Sequence, residues 1–117
     1  MAKPADGAGN LLVLVRTTLP DAEAADRMAR GLVERGLAAC VHASPLRSTY
    51  RWGGKLEQED EVLLEARTTP EHADAVWEHL LKNHPYELPL VEILGGVKTT
   101  ARYAAWARDA LRPRPPG

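Results

Sequence analysis

An imidazole, a phenol and a carboxylate stand together in His84-Pro85-Tyr86-Glu87-Leu88-Pro89, between prolines that limit backbone freedom. Such a loop either presents a preformed binding surface or serves as a stiff connector with Tyr86 packed and Glu87 in water. Metal ligation is the chemistry to test first, because His, Cys and carboxylate groups are the usual ligands of transition metals. The four histidines are His42, His72, His79 and His84. His72 and His79 are seven apart on one expected helix, about 10 Å along its axis, too far to share an ion. Cys40 and His42 sit at i and i+2 of an expected strand and project to one face. A single cysteine in an apolar run is ordinarily a small buried hydrophobe, so core packing is the favoured reading of that pair. Glu57, Glu59, Asp60 and Glu61 read as a solvated edge-strand face or, more sharply, as a carboxylate rim drawing cations to an oligomer cleft. No CxxC, HExxH, GxSxG, P-loop or GxGxxG spacing occurs. Any metal site is therefore assembled across loops or between subunits, and no catalytic role is expected.

The elements that must position these groups are organised around residues 39–67. Two β-prone runs, one with Val41, Thr49, Tyr50 and Trp52 and one with Leu56, Val62, Leu63 and Leu64, flank Gly53-Gly54, which signals a β-hairpin. At about 3.3 Å per residue the first arm reaches roughly 40 Å. A chain of 117 residues cannot cover that length. Tyr50 and Trp52 share one face by period-2 alternation, and with Leu56 they are the expected interface residues. The economical cover is another copy of the chain. The competing reading breaks the first arm at Pro45, leaving two ordinary strands.

Residues 11–15 read as a strand buried on both faces. Thr18, Pro20, Asp21 and Glu23 supply a helix cap, a first-turn proline and acids at the helix N-terminus. Ala25, Met28, Ala29, Leu32 and Val33 form the apolar stripe of that helix, and Gly36 is its stop. Thr69-Pro70-Glu71 repeats the start for a second helix, with Ala73, Val76, Trp77, Leu80 and Leu81 inward and His84-Pro85 ending it. Residues 90–94 read as a fourth strand terminated by Gly95-Gly96. Thr99 or Thr100 then caps a last helix in which Tyr103, Ala104, Ala107 and Leu111 share a side. The order predicts an α+β, ferredoxin-like split β-α-β sandwich: a four-stranded antiparallel sheet, two helices on one face and an extra C-terminal helix. The expected domain spans residues 11–111, with a flexible leader at 1–10 and a Pro-rich tail at 112–117.

Fifteen basic against sixteen acidic residues give no general pull on nucleic acid or anionic membrane. No apolar run approaches the roughly 18 residues of a membrane span, and no signal-peptide pattern opens the chain. Cys40 alone excludes an intrachain disulfide and fits a reducing compartment. These features predict a soluble cytoplasmic protein without nucleic-acid or membrane partners.

Gly36-Leu37-Ala38-Ala39-Cys40-Val41, Tyr50-x-Trp52-x-Gly54-Lys55-Leu56-Glu57, Glu61-Val62, Thr68-Thr69 and His84-Pro85-Tyr86-Glu87-x-Pro89 follow one another in that order. On these motifs nearly the whole chain resembles the CutA family of divalent-cation tolerance proteins. The resemblance implies a fold similar to the PII signalling proteins and a tightly packed homotrimer whose hairpins pair across subunits. It also implies a cytoplasmic role in tolerance of copper and other divalent cations, with no established catalysis. By matching position it carries over Cys40, His84, Tyr86 and Glu87, together with Tyr50, Trp52 and Lys55 near the hairpin tip. Some bacterial members have a cysteine at the end of the first strand and two successive histidines before the proline. Thr17 and Asn83 occupy those places here, so a copper site built on those groups loses ligands soft enough to favour Cu(I). The expected protein is a homotrimer without an obligatory cofactor. It binds Cu²⁺ or another divalent cation weakly at His84, with Glu87 or an acidic hairpin residue beside it and Cys40 as a further candidate. The alternatives are a PII-like sensor, holding an anionic or zwitterionic ligand with Lys55, Tyr86 and Glu87 in inter-subunit clefts, and a purely structural assembly module.

Overall fold

Leu12, Val13, Val15, Thr17 and Leu19 are all buried along β1 (Leu11–Leu19), as a strand covered on both faces requires. The computed structural model describes residues 10–111; the expected leader, apart from Asn10, and the expected tail at 112–117 lie outside the described residues. The apolar run marks only the first half of β1. The strand continues because Thr17 and Thr18, β-branched and paired with Leu64 and Leu63, suit a pleated interior. Thr18 is consequently not the cap of the first helix. Asp21 is, its carboxylate accepting from the Ala24 N–H at 2.8 Å.

Helix α1 (Ala22–Glu34) ends as expected at Gly36, where the Gly36 and Leu37 N–H groups bond back to the Val33 and Leu32 carbonyls. The second helix begins less simply. Thr69 makes no side-chain bond to the helix backbone; a 3-10 turn over Pro70–His72 precedes α2 (Ala73–Asn83). Met28 and Leu32 of α1 and Val76 and Leu80 of α2 meet Val13, Val15, Leu19, Leu64 and Ala66 of the sheet in one apolar layer. On the reverse face, α3 (Ala101–Ala110), capped by Thr100, seats Ala107 and the following Leu111 on Leu12 and Ala39.

The sheet is antiparallel with strand order β2-β3-β1-β4, the ferredoxin-like arrangement. Strand β4 runs over Val91–Lys98, so Gly95-Gly96 does not terminate it. The register slips there, between the pairs Leu12↔Val97 and Leu14↔Leu94, and Gly96 at φ 69° supplies the left-handed residue that a bulge of this kind uses.

The hairpin is continuous. Strand β2 (Cys40–Trp52) pairs with β3 (Lys55–Thr68) residue by residue through Pro45↔Val62, so the reading that broke the arm at Pro45 fails. Pro45 is tolerated because β2 is an edge strand with no further ladder to serve. Gly53 and Gly54 have φ of 58° and 81°, and the two positive values match the type I′ turn whose twist suits a two-residue hairpin. Strand β1 stops at Leu19↔Val62, whereas β2 and β3 go on together through seven further pairs, from Leu46↔Glu61 to Trp52↔Lys55. That ribbon extends about 20 Å past the three-stranded part of the sheet.

Leu64 is fully buried in the layer beneath both helices. Leu64→Ala is expected to lower the unfolding free energy by about 2–5 kcal/mol, read as a reduced midpoint at unchanged slope in urea denaturation.

Candidate functional site

The ends of β1, α2 and β4 converge where the ribbon leaves the sheet, and the 84–89 loop closes that junction. His84 terminates α2 with ψ 136°, the extended geometry imposed by Pro85. Its ring turns inward to Thr17, which is fully buried. The Thr17 hydroxyl donates to the Leu90 carbonyl at 2.6 Å, leaving its oxygen to accept from His84 Nε2–H at 2.8 Å. The Tyr86 main-chain N–H donates to His84 Nδ1 at 3.1 Å. Both ring nitrogens are thus in use, with the proton on Nε2. Burial pushes the His84 pKa down, opposed by a main-chain hydrogen bond at Thr18 and by the charge of Glu61. The neutral ring braces the loop against β1.

Tyr86 continues the chain of contacts, its ring centroid 5.1 Å from that of His84. Its hydroxyl donates to Glu61 Oε1 at 2.9 Å. Glu61 is the first ribbon residue of β3 beyond β1 and is 8% exposed. Burial alone would raise its pKa, but hydrogen bonds from Ser48, Tyr86 and Thr18, with the field of His84, outweigh burial and hold it below the usual carboxylate range. The Tyr86 phenol is pushed well up, by burial first and then by the hydrogen bond to Glu61. Glu57 and Glu59 follow Glu61 at alternate positions on the same face of β3, and Tyr50 stands opposite Glu57. Burial raises the Tyr50 pKa, and a hydrogen bond with Glu59 raises it further. These groups, with Trp52, Glu87 and Leu88, line a cleft of about 890 Å³.

The residues picked from sequence separate into three places. His84, Tyr86 and Glu87 lie at the junction, and Tyr50 and Trp52 face the same cleft from the ribbon. Lys55 pairs with Trp52 at the tip, six residues beyond Glu61, about 20 Å away. Within one chain it does not join Tyr86 and Glu87. Leu56, 69% exposed, alternates to the opposite ribbon face from Trp52. Cys40 lies at the other end of β2, six residues before the partner of Glu61, again about 20 Å off. One chain therefore does not gather Cys40, His84 and Glu87. Cys40 does meet His42, Sγ to Nε2 at 3.5 Å, but Arg67 donates to His42 Nδ1 at 2.8 Å. The proton then sits on Nε2, pointing at sulfur, where a shared metal ion would need a lone pair. Among the described residues no three His, Cys, Asp or Glu side chains stand close enough to hold a metal ion.

Sequence reasoning did not single out Thr17 as the partner of His84, nor Glu61 among its acidic neighbours. Thr17 gives no local signal, since its partner is 67 residues away. Glu61 had one. Counting pairs back from the two-residue turn places it opposite Leu46, next to the first sheet residue Val62.

Residues 13–110 match the family described as CutA1 divalent ion tolerance protein. The divalent-cation tolerance protein CutA of Pectobacterium atrosepticum is 39% identical over 101 residues, covering 86% of this chain and 92% of that one. Its counterpart in Thermotoga maritima is 35% identical over 100 residues, covering 86% and 99%. Among solved structures, CutA from Synechococcus elongatus superposes with a TM-score of 0.84 at 37% identity, covering 88% of this chain and 92% of that chain.

Two lowered pKa values give the junction a defined acid response. For both His84 and Glu61 the unfolded chain binds protons more readily, so their contribution is complete above the unfolded values, about 6.5 and 4.3. It is lost as pH falls through the folded ones. Tyr86→Phe is expected to cost about 1.5–3 kcal/mol at pH 7, with the gap to the parent narrowing in acid as Glu61 protonates. Urea unfolding at a series of pH values reads both effects, and a pH-independent gap would contradict the assignment.

Proposed function

The chain belongs to the CutA1 divalent ion tolerance protein family, and from that premise we propose that it is a cytoplasmic, non-catalytic homotrimer that binds divalent cations weakly at a carboxylate rim. The observation that carries this reading is the ladder of Glu57, Glu59 and Glu61 on one face of the protruding ribbon, facing Glu87 across the cleft. Oxygen donors on an open surface suit hard or borderline divalent ions and hold them loosely. His84 serves better as a brace than as a ligand, because a metal at either nitrogen would have to break a hydrogen bond. Thr17 beside it offers a hydroxyl, a poor donor for Cu(I).

Assembly is part of the same reading. Trp52 at 58% and Leu56 at 69% exposure project from opposite faces of the ribbon, and Leu88 and Leu90 are exposed at its base. A second copy covers such surface, and closed symmetry lets every ribbon be covered alike. It also brings further donors to a rim that one chain leaves incomplete. The free thiol of Cys40 fits a reducing cytoplasm. Among the described residues no helix is long and apolar enough to cross a membrane. The size of the cleft favours a second reading, a small-molecule sensor. Its lining sets Glu57, Glu59, Glu61 and Glu87 against Arg51 and lacks Lys55, so a cationic or zwitterionic ligand suits it better than an anionic one.

Light-scattering mass on a sizing column is expected to give three chains for the parent and single chains for Trp52→Asp combined with Leu56→Asp. Calorimetric titration of the trimer with Cu²⁺ and Zn²⁺ is expected to show weak binding. Glu59→Gln should reduce it about tenfold, a loss of ~1.4 kcal/mol, while His84→Ala lowers the melting temperature and leaves binding within a few-fold. Loss of binding in His84→Ala with Glu59→Gln unaffected would return the site to the histidine.

A further inference from the structure

A second cavity, of about 340 Å³, lies between α1 and α2 on the helical side of the molecule, and its lining carries the opposite charge to the hairpin cleft. Arg27, Gly31 and Arg35 recur at intervals of four and so stand in a row along α1 and its C-cap. His79 of α2 faces the middle of that row: a Cβ added at Gly31 would come 3.2 Å from His79 Nε2. Glycine weakens a helix interior relative to alanine, and here it leaves the space into which the imidazole projects. Asn83 steadies His79, donating to its carbonyl at 2.9 Å. Met28, Ala24 and Pro85 give the cavity an apolar floor, and no carboxylate is among its lining residues.

The charges are only lightly compensated. Arg27 approaches Glu23 at 3.9 Å across an exposed face, a pair of little worth in water. Arg35 makes no ion pair among the described residues. His79 is itself held neutral, by burial first and then by the positive fields of Arg35 and Lys82. Two fixed cations and an imidazole over an apolar floor have the form of a receptor for an anionic head group with a hydrocarbon portion.

We infer that this cavity binds a small amphipathic anion, a carboxylate or phosphate carried on a short apolar group. It lies apart from the ribbon and does not depend on the cation-binding reading. Arg27 and Arg35 take the anionic head, the apolar portion rests on Met28, Ala24 and Pro85, and the neutral His79 ring donates its one N–H to the head group.

The test is calorimetric titration of the intact protein at constant ionic strength with inorganic phosphate, butyl phosphate and hexanoate, with the His79 ring resonances followed by NMR in parallel. Butyl phosphate or hexanoate is expected to bind at least tenfold more tightly than inorganic phosphate and to shift the His79 signals, and whichever of the two binds more tightly identifies the preferred head group. Arg35→Gln, an exposed change that leaves the core intact, should weaken that binding at least tenfold, and Gly31→Ala should weaken it by narrowing the cavity. Equal affinity for butyl phosphate, hexanoate and inorganic phosphate, unmoved His79 resonances, or an Arg35→Gln protein that binds as the parent does would each overturn the assignment.

Discussion

A two-stranded ribbon alone in water is marginally stable at best, yet β2 and β3 run seven pairs beyond their last neighbour on β1. Much of the remaining architecture answers that constraint. The Gly53-Gly54 turn keeps the arms in register to the tip. At the base, Glu61 is gripped by Tyr86, and Ser48 and Thr18 add further hydrogen bonds to its carboxylate. Tyr86 hangs from a loop that His84 fastens to Thr17. Through those contacts the end of α2, the end of β1 and the start of β4 fix the angle at which the ribbon leaves the sheet. Its outer part still exposes Trp52 and Leu56.

The junction also illustrates how one ionised side chain holds a structure together. Glu61 is buried without an ion pair among the described residues, and hydrogen-bond donors rather than a cation keep it charged. Such a carboxylate orients its donors and is costly to leave unsatisfied. Tyr86 and His84 belong to that scaffold, while Glu57, Glu59 and Glu87 stand further out, at 57 half-buried and at 59 and 87 exposed. The division of labour follows from depth: inner groups fix the geometry, and the outer carboxylates at 59 and 87 stay in contact with solvent.

Much of this was legible in the residues themselves. The stripes Ala25-Met28-Leu32 and Ala73-Val76-Leu80 point inward as their periodicity requires, and the glycine pair with its flanking β-prone arms announced the long hairpin. What could not be read were contacts made at long range or against local preference. Thr18 looks like a helix cap but serves as strand, because its partner Leu63 is 45 residues away. Gly95-Gly96 looks like a strand end, but β1 continues alongside and turns the pair into a bulge. His84, named as a ligand from its place in the His-Pro-Tyr-Glu motif, is engaged at both nitrogens by Thr17 and Tyr86. Residue type reveals what a group can do; only packing reveals which of its atoms are still free.

The most direct test of the central claim, that the ribbon is stabilised by cover from another copy, is hydrogen exchange of the 46–55 amides in the intact protein at micromolar concentration. Cover predicts slow exchange along the outer arm of β2, approaching that of β1, with protection lost on dilution below the assembly's dissociation point. Rapid exchange there at every concentration, while β1 stays protected, would mean that the ribbon stands free in water and would contradict the account.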